Sequence, residues 1–131
     1  MMNKYSIDYK VVPEDIDELN HVNNIRYLEW VQDISKEHWF RAIEGKIHPK
    51  KYIWVIASHH LDYLRPALLN DELEIETFVK DFEGKFSHRT VRVKNKETGK
   101  LLFKSLTKWC LVEVSSGSTI NVTDDIAAIF I

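Results

Sequence analysis

A single long helical pattern, set among strand patterns, is the strongest constraint on what this chain can fold into. Tyr27, Leu28, Val31, Ile34, Ser35, His38, Trp39 and Ala42 recur at helical spacing, and Arg26, Glu29, Gln32, Asp33, Lys36 and Glu37 fill the positions between them. The pattern predicts an amphipathic helix of roughly four to five turns, long against the usual ~11–12 residues. Asn23 or Asn24 supplies its N-cap and Gly45 its C-terminal stop.

Around that helix the patterning is strand. Tyr5 to Val12 alternates loosely, with Tyr5, Ile7, Tyr9 and Val11 on one side, and ends at Pro13. Glu14 to Asn24 is a loop by composition, and Lys46 to Lys51 is another. Tyr52-Ile53-Trp54-Val55-Ile56-Ala57 is nearly all apolar, as a central strand would be, and runs on through His59, His60 and Tyr63. Pro66 and Asn70-Asp71 mark a break. Glu72 to Phe82 then alternates, with Leu73, Ile75, Thr77 and Val79 on one side. Glu83-Gly84 turns the chain into a strand from Phe86 to Lys94, and Asn95 to Gly99 turns it into a last strand from Leu101 to Val114. Thr123 caps a short terminal helix through Phe130. Strand, long helix and four hairpin-linked strands make an α+β fold. One helix covers one face of such a sheet, so the other face or an edge strand needs a partner, and oligomerisation is expected.

The 131 residues fit one domain, residues 1–131, and a hydrophobic content of 44% is enough for a core. A net charge of -2 gives no electrostatic reason to expect a nucleic-acid partner. The lone Cys110 cannot form an intramolecular disulfide, and no Cys/His zinc spacing exists, so no metal is expected. Met1-Met2-Asn3-Lys4 does not resemble a signal peptide. No segment approaches the ~20 apolar residues of a membrane span, and the expectation is a soluble, cytoplasmic protein without a membrane partner.

The segment that carries chemistry is Asp15-Ile16-Asp17-Glu18-Leu19-Asn20-His21-Val22-Asn23-Asn24, directly ahead of the helix. Asp17 and His21 can converge there near the backbone N–H groups of Asn23 and Asn24, giving a base for water and donors for a developing oxyanion. The bland alternative makes Asp17 a turn former, His21 a packed histidine, and the asparagines turn and cap residues. His59 and His60 lie on a strand and point to opposite faces, so they cannot jointly bind one metal by the usual route. One of them could face an active-site groove. Glu72, Glu74 and Glu76 form an acidic strand face, ordinarily a solvated one. Lys80, Lys85, Arg89, Arg92, Lys94, Lys104 and Lys108 supply scattered positive charge that suits either substrate phosphates or plain solubility. There is no G-x-S-x-G elbow, P-loop, G-x-G-x-x-G or H-E-x-x-H, and Cys110 sits in an apolar strand. Hydrolysis by water is the chemistry that survives.

Asp15-Ile16-Asp17, His21-Val22-Asn23-Asn24 and Tyr27 closely resemble the D-x-D-x-x-x-HVNN-x-x-Y signature of hotdog-fold thioesterases, of the 4-hydroxybenzoyl-CoA and acyl-ACP thioesterase type. Asp62-Tyr63-Leu64-Arg65-Pro66-Ala67 with Asn70-Asp71 is similar to that family's strand exit, and Lys108-Trp109-Cys110-Leu111-Val112 to its final strand. The resemblance implies an antiparallel sheet wrapped around one long helix, and a homodimer or homotetramer with sites at the protomer interface. It implies a hydrolase for acyl-CoA thioesters that needs no cofactor or metal. Asp17 would be general base or nucleophile, and His21 would orient substrate or share the base role. The N–H groups around Asn23 and Asn24 would polarise the thioester carbonyl. Tyr27 and Trp30 would line the acyl pocket or the dimer seam, and His59 or His60 would reach the partner's site. Many members have glycine where this chain has Asn20, which implies an unusual backbone there. The plant acyl-ACP enzymes carry a catalytic asparagine where this chain has Leu19, which points to acyl-CoA as the substrate. The rival on the same fold is a non-catalytic acyl-ligand binding module.

Overall fold

The computed structural model describes residues 3–131. Strand β1 (Lys4–Lys10) is followed by a 3-10 turn (Pro13–Asp15) and helix α1 (Asn24–Ile43). Strands β2 (Tyr52–Tyr63), β3 (Glu72–Glu83), β4 (Phe86–Asn95), β5 (Leu101–Glu113) and β6 (Ser118–Thr119) come next, and helix α2 (Asp124–Phe130) closes the chain. The sheet order is β1-β3-β4-β5-β2, antiparallel at every step, with β6 as a short addition beside β5. A long helix cradled by one antiparallel sheet is the hotdog arrangement.

Alternation decides which face of each strand meets α1. Leu73, Ile75, Thr77 and Val79 of β3 point inward, as do Ser87, Arg89, Val91 and Val93 of β4. The first half of α1 buries Tyr27, Trp30, Val31 and Ile34 against Leu73, Ile75, Val91, Val93 and Phe103. The second half buries Trp39 and Ile43 against Val79 and Leu111, under a lid formed by Ile126 and Phe130 of α2. Burying a side chain of this size contributes about 1.5–3 kcal/mol, so these two clusters hold the helix where its N-terminus must sit. Between them lies a buried polar group: His38, Thr77 and Arg89.

Four expectations change. Tyr52–Ala57 reads as a central strand, yet β2 is an edge strand hydrogen-bonded only to β5, with Ile53 51% and Val55 44% exposed. Its apolar run belongs to an exposed edge rather than to a strand covered on both sides. The first strand stops at Lys10, because Val11 pairs instead with the loop at Asn70 and Asp71. Thr123 holds the N-cap position of α2, but its hydroxyl bonds the Asp125 carboxylate, and only its carbonyl serves the helix. Arg89, grouped by sequence with the scattered surface cations, is only 5% exposed. Among the described residues no helix is long and apolar enough to cross a membrane.

Candidate active site

The loop ahead of α1 is held from both ends. Ile16 and Val22 form an antiparallel bridge, and Asp17 N–H donates to the His21 carbonyl at 2.9 Å. His21 bridges Leu68, and Val22 N–H donates to the Ala67 carbonyl at 2.9 Å, tying the loop to the segment that follows β2. The tight excursion between Asp17 and His21 turns on Asn20, whose φ is +61°. Asparagine tolerates that left-handed conformation better than other side chains, which is how this chain manages without glycine there.

Within this frame the Asp17 carboxylate is oriented by amides. Its Oδ1 accepts from Leu19 N–H at 2.9 Å and from His21 N–H at 3.3 Å. Among the described residues Oδ2 has no hydrogen-bond partner. The contact between Asp17 and His21 therefore runs through the histidine backbone, while the imidazole is exposed. Asn23 is the N-cap of α1, its Oδ1 accepting from Ile25 N–H at 2.9 Å. Its own N–H is not free, as it donates to the Asp15 carbonyl at 2.8 Å. Asn24 N–H donates to nothing among the described residues and stands at the positive end of the helix dipole. Of the two amides expected to meet an oxyanion, one is thus engaged in holding the loop and one is open.

Asp17, His21, Asn23, Asn24 and Tyr27 share the wall of one open cleft of about 820 Å³ with Tyr63 and Arg65. Tyr27 is buried, its hydroxyl accepting from Ala67 N–H at 3.3 Å, and burial raises its pKa. Tyr63, which sequence reasoning did not place at the site, donates its hydroxyl to the Asn24 carbonyl at 3.2 Å and packs edge-on against Tyr27. Arg65 brings a positive charge to the rim.

The remaining candidates lie elsewhere. Trp30 is in the core behind Tyr27, with ring centroids 5.1 Å apart and away from the cleft wall. His59 faces Thr107 Oγ1 at 2.8 Å and is half-buried, which lowers its pKa, while exposed His60 lies 3.4 Å from Asp62. Neither lines the cleft of its own chain.

Comparison with protein families matches residues 11–130 to the Thioesterase-like superfamily. The chain belongs to that superfamily. As a member, it also has the superfamily's fold at low sequence identity. It is similar to YbaW, a probable thioesterase from Escherichia coli (20% identity, 98% of this chain and 96% of that one, TM-score 0.80). The protein SAV2348 from Staphylococcus aureus, solved in complex with CoA, is similar over 98% of this chain and 82% of that one (15% identity, TM-score 0.83). Slr0204, a 1,4-dihydroxy-2-naphthoyl-CoA thioesterase from Synechocystis, is similar over 97% and 95% (13% identity, TM-score 0.79). No curated protein matches by sequence.

Proposed function

We propose that this thioesterase-superfamily member hydrolyses acyl-CoA thioesters, with Asp17 as its acid residue. The observation that carries the reading is the Asp17 carboxylate itself. Two loop amides hold Oδ1, and Oδ2 has no hydrogen-bond partner among the described residues. Asp17 lines an open cleft together with Asn24, whose N–H is likewise unengaged among those residues. A thioester carbonyl oxygen set against that N–H would be polarised at the helix N-terminus. Asp17 then takes a proton from water as the water oxygen bonds to the acyl carbon, or its own oxygen forms that bond and water cleaves the resulting anhydride. In either route the C–S bond breaks and the thiolate leaves to be protonated. His21 orients the substrate or shares the base role, and Tyr27 forms the acyl-side wall. Membership of the superfamily and the CoA complex of the similar SAV2348 support a CoA thioester over other esters.

The same reading takes the protein as a homodimer, or a homotetramer of dimers, paired along β2. A twelve-residue edge strand with Ile53, Val55 and Ile56 in solvent supports it. Such pairing would let His59 or His60 approach the partner's cleft.

The test is thiol release from short, long and aromatic acyl-CoAs by the wild-type protein and Asp17→Asn in parallel. Turnover that collapses in the variant is expected. Acyl-CoA bound without any release would replace the enzyme by a binding module, and activity surviving the substitution would move the base to His21.

A further inference from the structure

A second cavity, of about 690 Å³ when the open solvent at its mouth is included, lies beneath the C-terminal half of α1 and α2. It shares no lining residue with the Asp17 cleft. Its walls are aromatic, with Trp39, Trp54, Phe82, Trp109 and Phe130 among them, and Arg89 reaches it from β4.

Arg89 is 95% buried, by an exposure of 5%, and among the described residues no carboxylate lies within 4.0 Å of it. Among the described residues its side-chain hydrogen bonds all leave from Nη1, which donates to Thr77 Oγ1 at 3.1 Å and to His38 Nδ1 at 2.8 Å. Arginine has no acceptor, so Nδ1 must accept and the imidazole proton sits on Nε2, which donates to Asn3 Oδ1 at 3.2 Å. His38 is therefore neutral, and burial, assisted by the Arg89 charge, lowers its pKa to about 4. Burial lowers the Arg89 pKa to about 10, which leaves the guanidinium charged at neutral pH. The Phe130 ring, 5.8 Å from the guanidinium carbon, offsets that charge only in part.

A whole positive charge is thus placed in a largely aromatic chamber among neutral partners, with Nε and Nη2 unengaged among the described residues. Trp109 lines the same cavity, with its Nε1 sealed from solvent and without a hydrogen-bond partner among the described residues. Ser87 pairs directly with Trp109 in the β4–β5 register, so Arg89, two residues further along β4, shares that face as a diagonal neighbour. A buried cation held only by neutral partners, in an aromatic pocket, is complementary to an anion that carries an apolar body.

We propose that this cavity is a binding site for a monocarboxylic acid with an apolar tail, its carboxylate accepting from Arg89 and its tail lying against Trp39, Trp54, Phe82 and Trp109. The site does not rest on the hydrolytic reading, since it uses none of the residues of the Asp17 cleft.

Decanoate is the probe, with 1-decanol as the same chain lacking the charge. Three of the four tryptophans line the cavity, so intrinsic fluorescence reports occupancy, and amide and indole N–H shifts locate it. Saturable decanoate binding is expected, at least about tenfold tighter than decanol, with shifts at the Trp109 indole and around Arg89 but none from Asp17 to Asn24. Arg89→Met should bring decanoate down to the affinity of decanol. If that variant does not fold, the decanoate–decanol comparison in the wild-type protein decides by itself. No saturation, equal binding of the two probes, or shifts centred on the Asp17–Asn24 loop would overturn the proposal.

Discussion

Arg26 Nε donates to Asp15 Oδ1 at 2.8 Å, linking the first turn of α1 to a carboxylate that is only 3% exposed. Burial pushes the Asp15 carboxyl up, but the Val12 amide, the Tyr9 hydroxyl and the Arg26 guanidinium outweigh it and hold the pKa below the ordinary value. The Asp15 carbonyl meanwhile takes the Asn23 N–H. One residue therefore fixes the loop through its side chain and the helix cap through its backbone. Arg26→Met leaves a buried, unpaired carboxylate and should destabilise the fold by about 2–4 kcal/mol in urea titration, below the full cost for a sealed pair because Arg26 is partly exposed. The sign with pH follows from the lowered folded pKa. Asp15 stabilises the fold above the ordinary carboxylate pKa, and that contribution is lost as pH falls through its folded value. Asp15→Asn should remove this part of the acid-side loss.

The catalytic role proposed for Asp17 can be tested apart from its structural one. Asparagine keeps an Oδ1 acceptor for Leu19 N–H and His21 N–H but carries no negative charge. Asp17→Asn should thus keep its Tm within a few degrees while thiol release falls by about 10²–10⁴-fold. A parallel fall in Tm would mean that the carboxylate charge supports the loop and that the lost rate is not a catalytic effect.

Much of this framework was readable from local pattern. The span and cap of α1 follow from periodicity and Asn23, and the turns at Gly84 and Gly99 take the positive φ values of +60° and +76° that glycine permits. The spacing of Asp17 and His21 left catalyst and turn former both open. It was the resemblance to the thioesterase signature that singled out the loop and the unusual backbone at Asn20, whose φ is +61°. What escaped was decided by long-range contact. Asp15 looks like a companion of Asp17, yet Tyr9 and Arg26 convert it to a structural anchor. Arg89 reads as one more cation on a charged strand, although parity with Val91 and Val93 carries the signal that it points inward. Tyr63 reaches the site only because the chain after β2 folds back on the loop, through contacts between residues more than forty positions apart. The apolar run of β2 suggested a central strand, whereas pairing puts β2 at the edge, because composition reports how apolar a strand is and not which neighbours it has.

That run yields a prediction of its own. Ile53 and Val55 stand on the same side of β2 and are exposed, so lysine at both should not disturb the core. Charges on an edge block strand addition. Ile53→Lys/Val55→Lys should convert the wild-type oligomer to a monomer by light scattering, with an unchanged far-ultraviolet spectrum. If the sites lie between protomers, thiol release should fall with it. A wild-type protein that is already monomeric would remove both expectations.

His38 gives the fold a second pH dependence, distinct from that of the carboxylates. Its pKa is about 4 in the folded chain against an ordinary 6.5, because burial and the Arg89 charge both oppose protonation. The unfolded chain therefore binds the extra proton first. The stability contributed by neutral His38 is complete above pH ~6.5 and is lost as pH falls towards about 4, with a slope approaching ~1.4 kcal/mol per pH unit. His38→Asn offers Oδ1 as an acceptor near the place of Nδ1, so Arg89 Nη1 keeps a neutral partner that does not titrate. Denaturant midpoints measured from pH 7.5 to 4.5 should fall steadily for the wild-type protein and more shallowly for His38→Asn. Equal slopes would mean that His38 is protonated in the fold, and that a negative group approaches Arg89 in solution.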